Sequence, residues 1–172
     1  VKSQYEKLIA ENPERVWISS CCSSINRWIA LYHPDALEYL APVFTPIQVH
    51  AKLLKQRFPD AMVAFITPCI SKKLERYEND SSIDFSISFE ELENLFIQAG
   101  VVLETDEEPE ACYLSRNFPI DGGILSTLEK APAYHYVSVS GYHSCLQAIR
   151  DIVEGKITNC FVEMSLCEGS CI

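Results

Sequence analysis

Ala61-Met-Val-Ala-Phe-Ile-Thr67 is a nearly continuous apolar run, and Pro68-Cys69 follows it directly. A short run without polar alternation suits a strand buried on both faces, as in a parallel sheet covered by helices. Ile47 to Phe58 precedes it with helical spacing behind Pro46, and Pro59-Asp60 ends that helix. Asp84-Phe-Ser-Ile-Ser88 follows as a second strand. Helix, strand, cysteine loop and strand in this order set the pattern for the rest.

Outward from that stretch the alternation continues. Val16 to Ser20 is a β-rich run, and Ile25 to Tyr32 carries helical spacing. Ser88 with Glu91 three residues later predicts a capping box, on a helix to about Gln98 that stops at Gly100. Val101 to Leu103 reads as the start of another strand. Gly122-Gly123 opens a helix to Lys130, His135 to Ser140 is a strand, Ser144 to Val153 a helix, and Ile157 to Val162 the last strand. The expected fold class is α/β with mostly parallel pairing. It divides near residue 80 into a first lobe, 1–80, and a second, 81–172.

With 172 residues the chain can bury an adequate core without covalent staples. A net charge of −10 argues against nucleic acid as partner, since backbone binding needs clustered Lys and Arg. Glu104 to Glu110 holds much of the acidity and reads as a solvated loop or a docking surface for a basic electron-transfer partner. No apolar run approaches the roughly 18–20 residues of a spanning helix, and no secretory signal opens the sequence. The expectation is a cytoplasmic, non-membrane segment of a longer chain.

Eight cysteines are the informative count: Cys21, Cys22, Cys69, Cys112, Cys145, Cys160, Cys167 and Cys171. Cys21-Cys22, Cys69 and Cys167 each follow a predicted strand, and in open α/β sheets ligands gather beyond the carboxyl ends of the strands. Cys171 adds a thiolate across a loop that Gly169 permits to turn tightly. A [4Fe-4S] cubane needs four thiolates, and Cys22, Cys69, Cys167 and Cys171 can supply them, with Cys21 beside the cluster. A four-cysteine zinc site and a lone nucleophile at Cys69 are the competing readings. Cys112, Cys145 and Cys160 read as plain buried cysteines. His33, His50, His135 and His143 have no ligand spacing and read as surface or packing residues.

Three segments together resemble the signature motifs of the iron-only ([FeFe]) hydrogenase catalytic domain. They are Ser19-Ser-Cys-Cys-Ser-Ser24, Thr67-Pro-Cys-Ile-Ser-Lys-Lys-Leu-Glu75 and Glu163-Met-Ser-Leu-Cys-Glu-Gly-Ser-Cys171. Tyr32-His-Pro34, Thr45-Pro46 with Gln48, Ile83-Asp84, Glu91-Leu92 and Gly122-Gly123 match as well, so the resemblance covers almost the whole chain. It implies a two-lobed α/β domain with the cluster site between the lobes. It also implies an H-cluster: a [4Fe-4S] cubane on Cys22, Cys69, Cys167 and Cys171, with Cys171 bridging to a two-iron unit that carries CO and cyanide. By the same resemblance Cys21 would donate protons and Lys72 would hydrogen-bond a cyanide. Glu75 and Glu163 would orient the motif loops.

Departures from the pattern point to altered function. Ser23 stands for the usual Pro and Ile25 for the usual Trp, while Thr67 and Ser165 replace methionines that pack around the two-iron unit. The serine of the proton relay aligns with Ala41, which can neither donate nor accept a proton. Val1 and Gln4 stand nearest the relay's acidic positions. An intact ligand set beside a degraded proton path resembles the sensory hydrogenases. The expectation is therefore H2 or redox sensing with weak or no turnover, fed by a ferredoxin-like donor or N-terminal Fe–S domain, with appended signalling domains. The alternatives are an active hydrogenase, and a non-catalytic Fe–S protein resembling the nuclear prelamin A recognition factor group.

Overall fold

The computed structural model describes residues 1–78, 82–102 and 116–171. Two compact units divide the chain: residues 1–45 with 113–172, and residues 46–112. The division expected near residue 80 instead falls inside the second unit, between two strands that pair with each other. The first unit joins the two ends of the chain.

That first unit is built on a three-stranded parallel sheet of β1 (Trp17–Ile18), β4 (His135–Ser140) and β5 (Cys160–Ser165), in the order β1-β5-β4. Trp17 pairs with Phe161 and Val137 with Val162. Five of the six β5 residues are buried, as a central parallel strand requires. Its side chains alternate between two apolar clusters. Cys160, Val162 and Met164 join Ile18, Ile25 and Ile29 of α2 (Ser23–Tyr32), and Cys145, Ile149 and Ile152 of α7 (Tyr142–Val153). Phe161 joins Trp17, Tyr5 and Ile9 of α1 (Lys2–Glu11), and Ile124 of α6 (Gly123–Thr127). Strand period 2 thus assigns one helix pair to each face of the sheet.

The second unit contains α3 (Pro46–Arg57), β2 (Ala64–Thr67), α4 (Ile70–Lys73), β3 (Phe85–Ser88) and α5 (Phe89–Ala99). β2 and β3 pair in parallel from Ala64 with Phe85 to Thr67 with Ser88. Asp84 fastens the entry to both strands: its carboxylate accepts the Val63 amide at 2.7 Å and lies 2.7 Å from the Lys55 ammonium. The predicted capping box is present, with Glu91 N donating to Ser88 Oγ at 3.2 Å and Ser88 N to Glu91 Oε2 at 2.8 Å. Gly100 closes the helix in the left-handed region at φ 66°.

Further sequence expectations need correction. β2 is not buried on both faces, for Ile66 is 44% exposed and only Thr67 is buried. Among the described residues its sheet has two strands, with a buried core of Ala51, Val63 and Ile83 and a few half-buried neighbours. β5 begins at Cys160 rather than Ile157, because Asn159 takes a left-handed φ of 50° that interrupts the β-branched run. α6 stops at Thr127 instead of Lys130. The hydroxyls of Ser126 and Thr127 donate to the carbonyls of Gly123 and Ile124, both at 2.7 Å, competing with helix continuation. Val101 and Val102 are in no strand; Leu103, the acidic stretch and Cys112 lie outside the described residues. No helix among the described residues is long and apolar enough to cross a membrane.

Candidate functional site

The double cysteine sits in the turn from β1 into α2, and hydrogen bonds fix that turn on three sides. Ser19 N donates to Val162 O at 2.9 Å, and Ser19 Oγ accepts the Met164 amide at 3.2 Å, so the turn is tied to β5. Ser20 N donates to the Tyr5 hydroxyl at 3.0 Å, while Ser20 Oγ donates to Val43 O at 2.5 Å. Asn26 Nδ2 reaches back to Ser20 O at 2.7 Å. Cys22 is the N-cap residue of α2 in extended conformation, and its carbonyl accepts the Asn26 amide. Both cysteines are half-buried. Cys21 Sγ lies 3.3 Å from the hydroxyl of Tyr5, which is 0% exposed.

Later in the sequence, Cys167 and Cys171 follow β5 and are exposed. Ser170 N donates to Cys167 O at 3.3 Å, and Cys171 N to Pro119 O at 3.0 Å, which ties the loop to residues 119–120. Gly169 and Ser170 both take left-handed φ, 72° and 73°, so the expected tight path is made by two residues. Glu163, 3% exposed, accepts the Leu125 amide at 2.9 Å. Burial pushes its carboxyl above the usual glutamate range, against the α6 amides that favour the charged form. It therefore fixes α6 to β5.

In the second unit Cys69 follows β2 and caps α4. Its amide donates to Thr67 Oγ1 at 3.2 Å, so the buried threonine organises the cysteine turn. Lys72 Nζ lies 3.0 Å from Glu75 Oε1, and Glu75 is 0% exposed.

Cys22, Cys167 and Cys171 belong to the first unit and lie beyond the carboxyl edge of one sheet; Cys69 belongs to the second. Among the described residues no three His, Cys, Asp or Glu side chains converge to hold a metal ion. Within the first unit the donor chemistry still suits an iron–sulfur cluster: Cys22, Cys167 and Cys171 are thiols outside any disulfide, in segments that follow parallel strands. Cys145 and Cys160 are buried, as expected, and burial pushes each thiol up to about 11. His33 packs edge-on against Trp28 at 4.9 Å, a packing role. Sequence reasoning missed Tyr5, since nothing in the local pattern links α1 to the double cysteine.

A model of the C-terminal domain of the iron-only hydrogenase large subunit matches residues 2–135. Among solved structures, an [FeFe]-hydrogenase studied for oxygen inactivation through modification and degradation of its H-cluster 2Fe subcluster is 14% identical. Its TM-score is 0.68, over 99% of this chain and 65% of that one. The HydA(deltaEFG) structure, which concerns stepwise H-cluster assembly, is 15% identical with a TM-score of 0.68, over 99% and 64%. A variant of HydA1 from Chlamydomonas reinhardtii is 16% identical with a TM-score of 0.69, again over 99% and 64%. At these identities the likeness is one of fold, and the chain spans about two thirds of their length. No curated protein sequence matches. With over half its length matched by that model and its α/β fold alike, the chain belongs to the family of C-terminal domains of the iron-only hydrogenase large subunit.

Proposed function

We propose that this chain is the cluster-binding part of a hydrogenase-like iron–sulfur protein that senses H2 or redox state, with weak or no turnover. Cys22, Cys69, Cys167 and Cys171 would hold a [4Fe-4S] cluster, and Cys171 would also carry the two-iron unit of an H-cluster. When bound, that group supplies the redox chemistry connecting protons, electrons and H2. Lys72 would donate a hydrogen bond to a cyanide, and Cys21 would exchange a proton locally. The protein is cytoplasmic and anaerobic in this reading, and takes electrons from a ferredoxin-like donor or a neighbouring Fe–S domain. It passes its signal to appended domains.

One observation carries the sensing reading. Ala41, at the relay's serine position, is 2% exposed and lies in an apolar cluster with Val43 and Phe161. The Ser20 hydroxyl, bonded to Val43 two residues along from Ala41, spends its proton on the Val43 carbonyl. A carbonyl ends a proton path, because it has no proton to pass on.

Anaerobic reconstitution tests the cluster. About four irons and four sulfides per chain are expected, with a cubane EPR signal lost or altered in Cys69→Ala. Zinc in place of iron, or no metal in either protein, defeats the proposal. In the maturated full-length protein, infrared bands of CO and cyanide with little H2 evolution fit sensing. Vigorous evolution that Cys21→Ala abolishes selects the active hydrogenase instead.

A further inference from the structure

Tyr5 is the buried polar group that the motifs do not explain. Its ring is clamped edge-on against Phe161, centroids 4.9 Å apart, and the side chain is 0% exposed. Its hydroxyl touches two consecutive residues of the first motif: 3.0 Å to Ser20 Oγ and 3.3 Å to Cys21 Sγ. It also accepts the Ser20 amide at 3.0 Å. Because Ser20 donates its one hydroxyl proton to Val43 O, the phenol must be the donor toward Ser20 Oγ or toward the sulfur. One hydroxyl can thus meet the sulfur either as donor or as acceptor.

We propose that Tyr5 is the positioning residue of Cys21: its hydroxyl, anchored by the Ser20 amide, fixes where the Cys21 sulfur points. The role of Cys21 itself rests on the function proposed above; the fixing of its sulfur does not. Position 5 lies one residue beyond Gln4 and shares a cluster with Ala41. The phenol is a buried hydroxyl set against the turn that carries Cys21. It does not rebuild a path to solvent, since its other partner, Ser20, ends at a carbonyl. The phenol stays protonated, because burial and the neighbouring Cys21 hold its pKa well above the ordinary 10. A permanent hydroxyl with a fixed ring suits a positioning role rather than proton delivery.

The experiment uses the reduced, metal-free chain, so it reads the sulfur whether or not a cluster can be loaded. The infrared S–H stretching band of Cys21 is assigned as the one missing from Cys21→Ala. In Tyr5→Phe, which keeps the ring on Phe161, that band should shift while the other thiol bands stay in place. An unmoved Cys21 band in folded Tyr5→Phe overturns the proposal. Should Tyr5→Phe fail to fold, the NMR signal of the Tyr5 hydroxyl proton gives the answer in the wild type. It should move on Cys21→Ala, and a signal that does not move overturns the proposal equally. Failure of iron uptake by the wild type would defeat the cluster reading and leave this result standing.

Discussion

The ammonium of Lys72 lies 3.0 Å from the carboxylate of Glu75, a residue with no exposed surface, one turn further along the Cys69 loop. A buried carboxylate is tolerated when cations and donors meet it, and removing one partner costs far more than the pair contributes net. Lys72 is thus held by the fold before any cofactor is considered. Lys72→Met should destabilise the chain by about 3 kcal/mol in urea unfolding, by removing the ammonium that faces the buried Glu75 carboxylate. Lys72→Met combined with Glu75→Leu should recover part of that loss, a coupling of about 1–3 kcal/mol. Strict additivity of the two single changes would mean that the contact carries no energy.

Glu163 gives a pH signature. Burial, then the nearby Asp121 carboxylate, raises its pKa, against the opposing α6 amides. A carboxyl whose folded pKa is raised favours the fold most when protonated. Its stabilisation is complete below the unfolded value of about 4.3 and is lost as pH rises through the folded pKa. Glu163→Gln keeps a carbonyl for the Leu125 amide and cannot ionise. Wild type and variant should therefore be alike near pH 4, with the wild type losing stability relative to the variant as pH rises towards neutrality. Paired denaturation curves across that range would reveal the opposite slope if the α6 amides outweigh burial.

How much of this could be read beforehand depended on distance along the chain. The capping box of Ser88 and Glu91 and the Gly100 stop are local, and local residues decide them. Parallel strands followed by cysteines were legible for the same reason. Tyr5 was not, because its partners Ser20 and Cys21 meet it only after β1 has docked beside β5 and α1 has covered Phe161. The boundary near residue 80 failed for a like reason: Trp17 pairs with Phe161, so the first unit closes on itself from both ends of the chain. Ile157 and Thr158 have strand composition, yet the left-handed Asn159 delays the strand to Cys160. The likeness of the motifs named four thiols, but no local rule tells where Cys69 lies with respect to the other three.

Thiol chemistry should sort the cysteines by environment. Burial pushes Cys145 and Cys160 up to about 11, and Cys145 donates to the carbonyls of Ser165 and Val139. At pH 8 such a thiol is ionised to about one part in a thousand, against about a quarter for an ordinary cysteine. Cys167 and Cys171 are exposed. In the reduced, metal-free chain, timed alkylation with peptide mapping should label Cys167 and Cys171 at least about a hundred-fold faster than Cys145 and Cys160. Denaturant should abolish the difference. Equal rates in the folded chain would mean that the two core thiols are not enclosed as described.

Gly123 marks where the Gly122-Gly123 pair is indispensable. Gly122 takes φ 70° at the start of α6, a conformation that glycine adopts without strain. Gly123 is constrained by space instead: a Cβ there would fall 1.5 Å from the carbonyl oxygen of Asn117. That is a backbone atom, which cannot swing aside as a side chain would. The same turn positions the α6 amides that meet Glu163, and residues 119–120 just before it receive the Ser170-Cys171 segment. Gly123→Ala should therefore cost about 3 kcal/mol or more, while Gly122→Ala should cost about 1 kcal/mol. The larger loss should come with changed exposure of Cys171, read as its alkylation rate relative to Cys167. An alanine at 123 that left both stability and that ratio unchanged would show that the Asn117 turn can open without disturbing the C-terminal cysteine loop.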